Sequence, residues 1–184
     1  MNALVLGVGN DIKRDDAVGL RVTEALERRR KETHSDGAGL DYRTMTSGRI
    51  MLVEELRGYD RAFLIDAIQT ESGDAGDWYR FEPEDVEPDE ESSGLATHDV
   101  GLGTLTRLGE AMGESMPEIT IFAIEAPEPF AYGDEMTDAM ADAVPDLVEA
   151  IDLAIDDELW AVDPDGANDD ELAAGDVDDT GSVT

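Results

Sequence analysis

The chain has 184 residues, enough for one domain with a single interior, and it carries 13 basic residues against 46 acidic ones, a formal net charge of −33. That charge excludes nucleic acid and anionic membrane surfaces as partners, because both carry the same sign. With no cysteine there are no disulfides, thiolate metal ligands or thiol nucleophiles.

Residues 2–8 read as a strand buried on both faces, and residues 15–31 as a helix with Val18, Val22, Ala25 and Leu26 at helical spacing. The basic run Glu27-Arg28-Arg29-Arg30-Lys31 closes that helix in the sense its dipole favours. Residues 40–46 are a second strand. A short helix over 48–57 carries Ile50, Met51, Val53 and Leu56, and a third strand over 61–67 contains Asp66 near its end. Residues 78–81 form a fourth strand, followed by a loop rich in Pro, Glu and Asp. A helix over 99–112, a fifth strand over 119–124 and an amphipathic helix over 134–155 complete the pattern. This alternation predicts a three-layer α/β domain with a mainly parallel sheet over residues 1–156. Beyond it, 157–184 reads as a disordered acidic tail with almost nothing to bury. Lysine is nearly absent (Lys13 and Lys31 alone) and acid is spread along the whole chain, a composition suited to very high salt. At about 1 M salt the screening length falls to roughly 3 Å. No apolar run reaches the roughly 20 residues that span a bilayer, and residues 1–6 lack the basic start of a signal peptide, so a cytoplasmic protein is expected.

The first strand runs into Gly7-Val8-Gly9-Asn10, and Asp15-Asp16 then opens a helix. Open α/β sheets build their sites at this carboxyl edge. A dinucleotide site fits badly: Ile12 stands where the third glycine of Gly-X-Gly-X-X-Gly belongs, and the second strand does not end in an acid. A phosphate-binding loop is excluded, since no Gly-Lys-Ser/Thr occurs and a phosphate cradle would not begin with two carboxylates. Helix capping accounts for one of Asp15 and Asp16, but two consecutive acids exceed what one cap requires. Asp66 reaches the same edge if its strand is parallel to and beside the first; its structural alternative is a turn acid bonded to nearby backbone. His98 stands where a loop enters a helix, whose dipole keeps the ring neutral and able to bind metal, although a surface or capping role also fits. His34 has no supporting pattern. Two carboxylates and one imidazole make an open site suited to zinc or nickel, holding metal loosely unless a partner completes it.

Leu6-Gly7-Val8-Gly9-Asn10 followed by Asp15-Asp16-Ala17-Val18-Gly19 resembles the opening of the hydrogenase maturation endopeptidases, which trim the C-terminus of [NiFe] hydrogenase large subunits. The resemblance extends through Thr46-Ser47-Gly48, Ile65-Asp66-Ala67, His98-Asp99-Val100-Gly101-Leu102 and the strand over 119–124, and so covers about residues 2–155. It implies a twisted five-stranded sheet between helices. It also implies that Asp16, Asp66 and His98 contact nickel carried by the hydrogenase precursor, with no organic cofactor and with the enzyme a monomer. The pair Lys13-Arg14 and the acidic loop 82–92 depart from the family pattern without touching those three ligands. Two alternatives stay open: a non-catalytic module that senses nickel or chaperones a metallo-subunit, and a protease of this fold with another substrate.

Overall fold

Residues 3–7 and 61–65 are buried at successive positions, as strands covered on both faces must be. These strands, β1 (Ala3–Val8) and β3 (Arg61–Ile68), lie side by side in the sheet of the computed structural model, which describes residues 1–33, 39–46, 51–83 and 115–162. With β2 (Leu40–Met45), β4 (Trp78–Phe81) and β5 (Glu118–Glu125) the sheet has the order β2-β1-β3-β5-β4. Every pairing is parallel except that of the four-residue edge strand β4 with β5.

Strand parity sorts the interior into two cores. On one face Val5, Phe63, Ile65, Phe122 and Ile124 meet helix α1 (Val18–Thr33) through Val18, Val22 and Leu26. Helix α3 (Asp138–Val162) covers the same face through Met140, Leu147, Ile151 and Ile155. On the other face Leu4, Leu6, Ala62, Leu64, Ile119 and Ile121 pack against Leu52, Val53 and Leu56, all of helix α2 (Leu52–Leu56). Each fully buried large apolar side chain contributes about 1.5–3 kcal/mol. The result is the expected three-layer α/β domain with a five-stranded, mainly parallel sheet.

The last helix differs from expectation at both ends. It begins at Asp138, not 134, because the Thr137 hydroxyl accepts the Met140 N–H at 3.3 Å and so caps the first turn. It continues to Val162, so residues 157–162, expected in the tail, are helical. The cause is long-range: buried Arg61 donates to the Glu158 carbonyl at 2.7 Å and to its carboxylate at 3.0 Å, while Leu159 packs against the core. Residues 163–184 and the helix expected over 99–112 lie outside the described residues, as do 47–50 at the start of the short helix expected over 48–57. The basic end of α1 does more than complement a dipole. Arg30 reaches Asp152 and Asp156 of α3, each at 2.7 Å, clamping the two helices of one layer. No helix among the described residues is long and apolar enough to cross a membrane.

Candidate functional site

Glycine decides how closely the first helix presses on the sheet. The register pairs Gly7 of β1 with Ile65 of β3 and stops there, so Asp66 follows where the two strands part at their carboxyl ends. Gly19, in the first turn of α1, sits between these ends: a Cβ there would run into the carbonyl oxygens of Val8 and Ile65. A Cβ on Gly9 would strike the Asp16 carbonyl oxygen, and one on Gly7 would strike the Gly19 carbonyl oxygen. The glycines therefore shape a contact between backbones. Through it the 3-10 turn over Asp15–Ala17, which precedes α1, comes against β3. Gly19→Ala is expected to cost about 3 kcal/mol or more, because the obstructing atoms are strand backbone with no freedom to yield. Thermal unfolding measures it, and an unchanged midpoint would refute the close approach.

The two aspartates of this turn have different tasks. Asp15 is fully buried and accepts three hydrogen bonds from the segment between β5 and α3: the Glu128 N–H at 2.9 Å, the Thr137 N–H at 2.8 Å and the Thr137 hydroxyl at 3.1 Å. It does not cap its own helix; the residue at that cap is Arg14, whose side chain makes no capping bond. One of the two acids is thus a structural residue, as capping would have had it, but its partners lie more than a hundred residues away.

Asp16 is 7% exposed. Burial pushes its carboxyl above the ordinary value, against smaller opposing effects from the Lys13 charge and a hydrogen bond to the Asn10 backbone. Lys13, expected to touch none of the three ligands, acts on one of them through its charge, which favours the Asp16 carboxylate. Asp66 is half-buried, and its carboxylate accepts the N–H of Ala67 at 2.8 Å. The turn-acid alternative is realised in that bond, without excluding a second task. The structure therefore brings the elements bearing Asp16 and Asp66 to one sheet edge. His98 and His34 lie outside the described residues. Among the described residues no group of three or more His, Cys, Asp or Glu is arranged to hold a metal ion.

The chain matches the sequence model of the hydrogenase maturation protease family, HycI, over residues 20–153. It belongs to that family, which is a family of peptidases. Asp66 and His98 fall within the matched span, and Asp16 lies just ahead of it. Among solved structures, the hydrogenase maturating endopeptidase HybD from E. coli is 20% identical, with a TM-score of 0.64 over 86% of this chain and 94% of that one. The [NiFe] hydrogenase maturation protease HycI from Thermococcus kodakarensis KOD1 is 17% identical, with a TM-score of 0.64 over 84% and 92%. HybD from Thermococcus kodakarensis is 24% identical, with a TM-score of 0.61 over 84% and 99%. These likenesses establish the shared fold. No curated protein sequence matches the chain.

Sequence reasoning missed the surface beside the site. Ile12, Phe130 and Tyr132 are exposed there, and the order in which the chain brings them together is visible only in three dimensions.

Proposed function

We propose that this family member removes the C-terminal extension of a [NiFe] hydrogenase large-subunit precursor after nickel insertion, and that Asp16, Asp66 and His98 recognise the nickel the precursor carries. The observation that carries the reading is the state of Asp16. It is a carboxylate buried at the carboxyl edge of the sheet, made costly to ionise by that burial, in a turn whose other acid already satisfies the structure. A cation delivered to that edge offsets the desolvation. Asp66 lies on the adjoining strand end, and His98 adds the nitrogen ligand.

Hydrolysis adds water to the scissile carbonyl carbon and breaks the C–N bond, leaving a new carboxylate on the mature subunit and a free amine on the released peptide. Two roles for the site fit this step. The metal of the substrate can polarise the carbonyl, or an aspartate can take the proton from the attacking water. The raised pKa of Asp16 suits it to the second role. Because the metal arrives with the substrate, cleavage becomes a checkpoint that only loaded precursor passes. The enzyme acts in this reading as a monomer in the cytoplasm, with no organic cofactor of its own.

The test incubates the protein with nickel-loaded and nickel-free precursor and follows the C-terminal mass. The expected result is loss of the extension from the loaded form alone. Binding without cleavage would make the chain a nickel-sensing or chaperone module, and neither binding nor cleavage would remove the precursor as its partner.

A further inference from the structure

Two segments from the carboxyl edge of the sheet meet beside Asp16. Lys13 and Tyr132 form an antiparallel bridge, in which Arg14 N–H donates to the Ala131 carbonyl at 2.9 Å and Gly133 N–H to the Ile12 carbonyl at 3.1 Å. The pairing is braced from below. Arg14 donates to the Glu128 carboxylate at 2.7 Å and to the Glu135 carbonyl at 3.1 Å, its stem lies against Gly133, and Asp15 holds Glu128 and Thr137. A segment tied down at so many points would be expected to turn its apolar side chains inward. This one leaves Ile12 56%, Phe130 46% and Tyr132 76% exposed, with the Lys13 ammonium 5.7 Å from the centre of the Phe130 ring. Only three other large apolar residues among the described ones are comparably exposed: Met1, Met51 and Leu153, which belong to other parts of the chain.

We infer that this ledge of Ile12, Lys13, Phe130 and Tyr132 is the docking surface for an apolar stretch of the precursor polypeptide flanking the scissile bond. The inference rests on the processing activity proposed above. Three considerations assign this occupant. The ledge is continuous with the site, since Lys13 is three residues from Asp16 and the intervening Arg14 and Asp15 are bonded to the segment that carries Phe130 and Tyr132. A polypeptide cut at the sheet edge must therefore lie along or across it. The surface is fixed before binding, so little ordering entropy is lost when a peptide settles on it, and aromatic side chains on a rigid support are effective anchors. Finally, in a chain of net charge −33, apolar contact is a means of gripping a partner that does not depend on the partner's charge.

The test uses the full-length protein with nickel-loaded precursor and compares Phe130→Ala, Tyr132→Ala and the double variant. For the double variant a KM raised about tenfold or more, with kcat within about threefold, is expected. An unchanged melting temperature shows that the braced segment has survived, and Tyr132→Phe should retain wild-type KM. A double variant with wild-type KM, in a preparation whose wild-type protein cleaves, overturns the ledge and leaves the processing activity standing. A wild-type protein that neither binds nor cleaves loaded precursor overturns the processing activity itself. Sedimentation distinguishes a further occupant: loss of a wild-type dimer in the double variant, with KM unchanged, would assign the ledge to a second copy of this chain and overturn the inference.

Discussion

Asp16→Asn is expected to abolish processing of loaded precursor and, at neutral pH, to make the protein more stable. The two effects have one cause. In the unfolded chain the carboxyl titrates at its ordinary value of 3.8, and burial in the folded protein raises it. Between the two values the folded state binds more protons than the unfolded one, so stability falls as pH rises through that window. The whole penalty is present at neutral pH. Asparagine has no charge to desolvate, and its side-chain oxygen can still accept the bond from the Asn10 backbone. The variant's advantage is therefore greatest above the folded pKa, fades as the pH falls from that raised value toward 3.8, and is gone below 3.8, where Asp16 is neutral in both states. Each kcal/mol recovered raises the melting temperature by roughly 2–4 °C in a domain of this size. On the activity side, losing a general base or an anionic metal contact costs about 10²–10⁴ in rate. Paired melting curves at neutral and acid pH at fixed salt, with a cleavage assay, examine both halves. A variant that cleaves at the wild-type rate, or that melts lower at neutral pH, contradicts the assignment.

The strands were readable because each central one is apolar at both parities, and that pattern has one physical solution, a sheet covered on both faces. Asp66 was readable for the same reason, as an acid near the end of an apolar run, and the parallel β1–β3 pairing fulfils the condition set for it. Where the sequence was silent, the deciding partner lay far along the chain. Asp15 and Asp16 send identical local signals, and what separates them is the arrival of Glu128 and Thr137 at one carboxylate and not the other. The end of α3 is similar: residues after 156 have little hydrophobic pattern, yet Arg61 on β3 holds Glu158 in helix. The exposed ledge was beyond reach for another reason. Ile12, Phe130 and Tyr132 are ordinary apolar residues in sequence, and only the backbone pairing of their segments turns them outward together.

Asp15→Ala should do the reverse of Asp16→Asn: destabilise strongly while removing no group from the proposed chemistry. Its carboxylate is fully buried and serves two backbone N–H groups and a hydroxyl, all from one loop and the first turn it leads into. Truncation strands these donors away from water and opens a space beneath the loop. A hydrogen bond to a charged group contributes about 1.5–3 kcal/mol, and a buried donor left unpaired costs about 1–3. A loss of about 3–5 kcal/mol is expected, since the loop can relax to recover part of it. The melting temperature should fall by roughly 6–20 °C. Asp15→Asn keeps one acceptor oxygen but turns an NH2 group toward a donor, so it should fall between wild type and alanine. The consequence for function runs through the ledge. With Asp15 gone, the segment bearing Phe130 and Tyr132 keeps only its backbone bridge and the Arg14 side chain as braces, so KM should rise at temperatures where the protein is still folded, with kcat less affected. A midpoint within 2 °C of wild type (no more than about 1 kcal/mol) would show that the three bonds do not contribute the stability assigned to them. A large fall in kcat with KM unchanged would show that Asp15, and not Asp16 alone, takes part in the reaction. Two adjacent aspartates whose removal shifts stability in opposite directions would mark one as built for the fold and the other as held at the fold's expense.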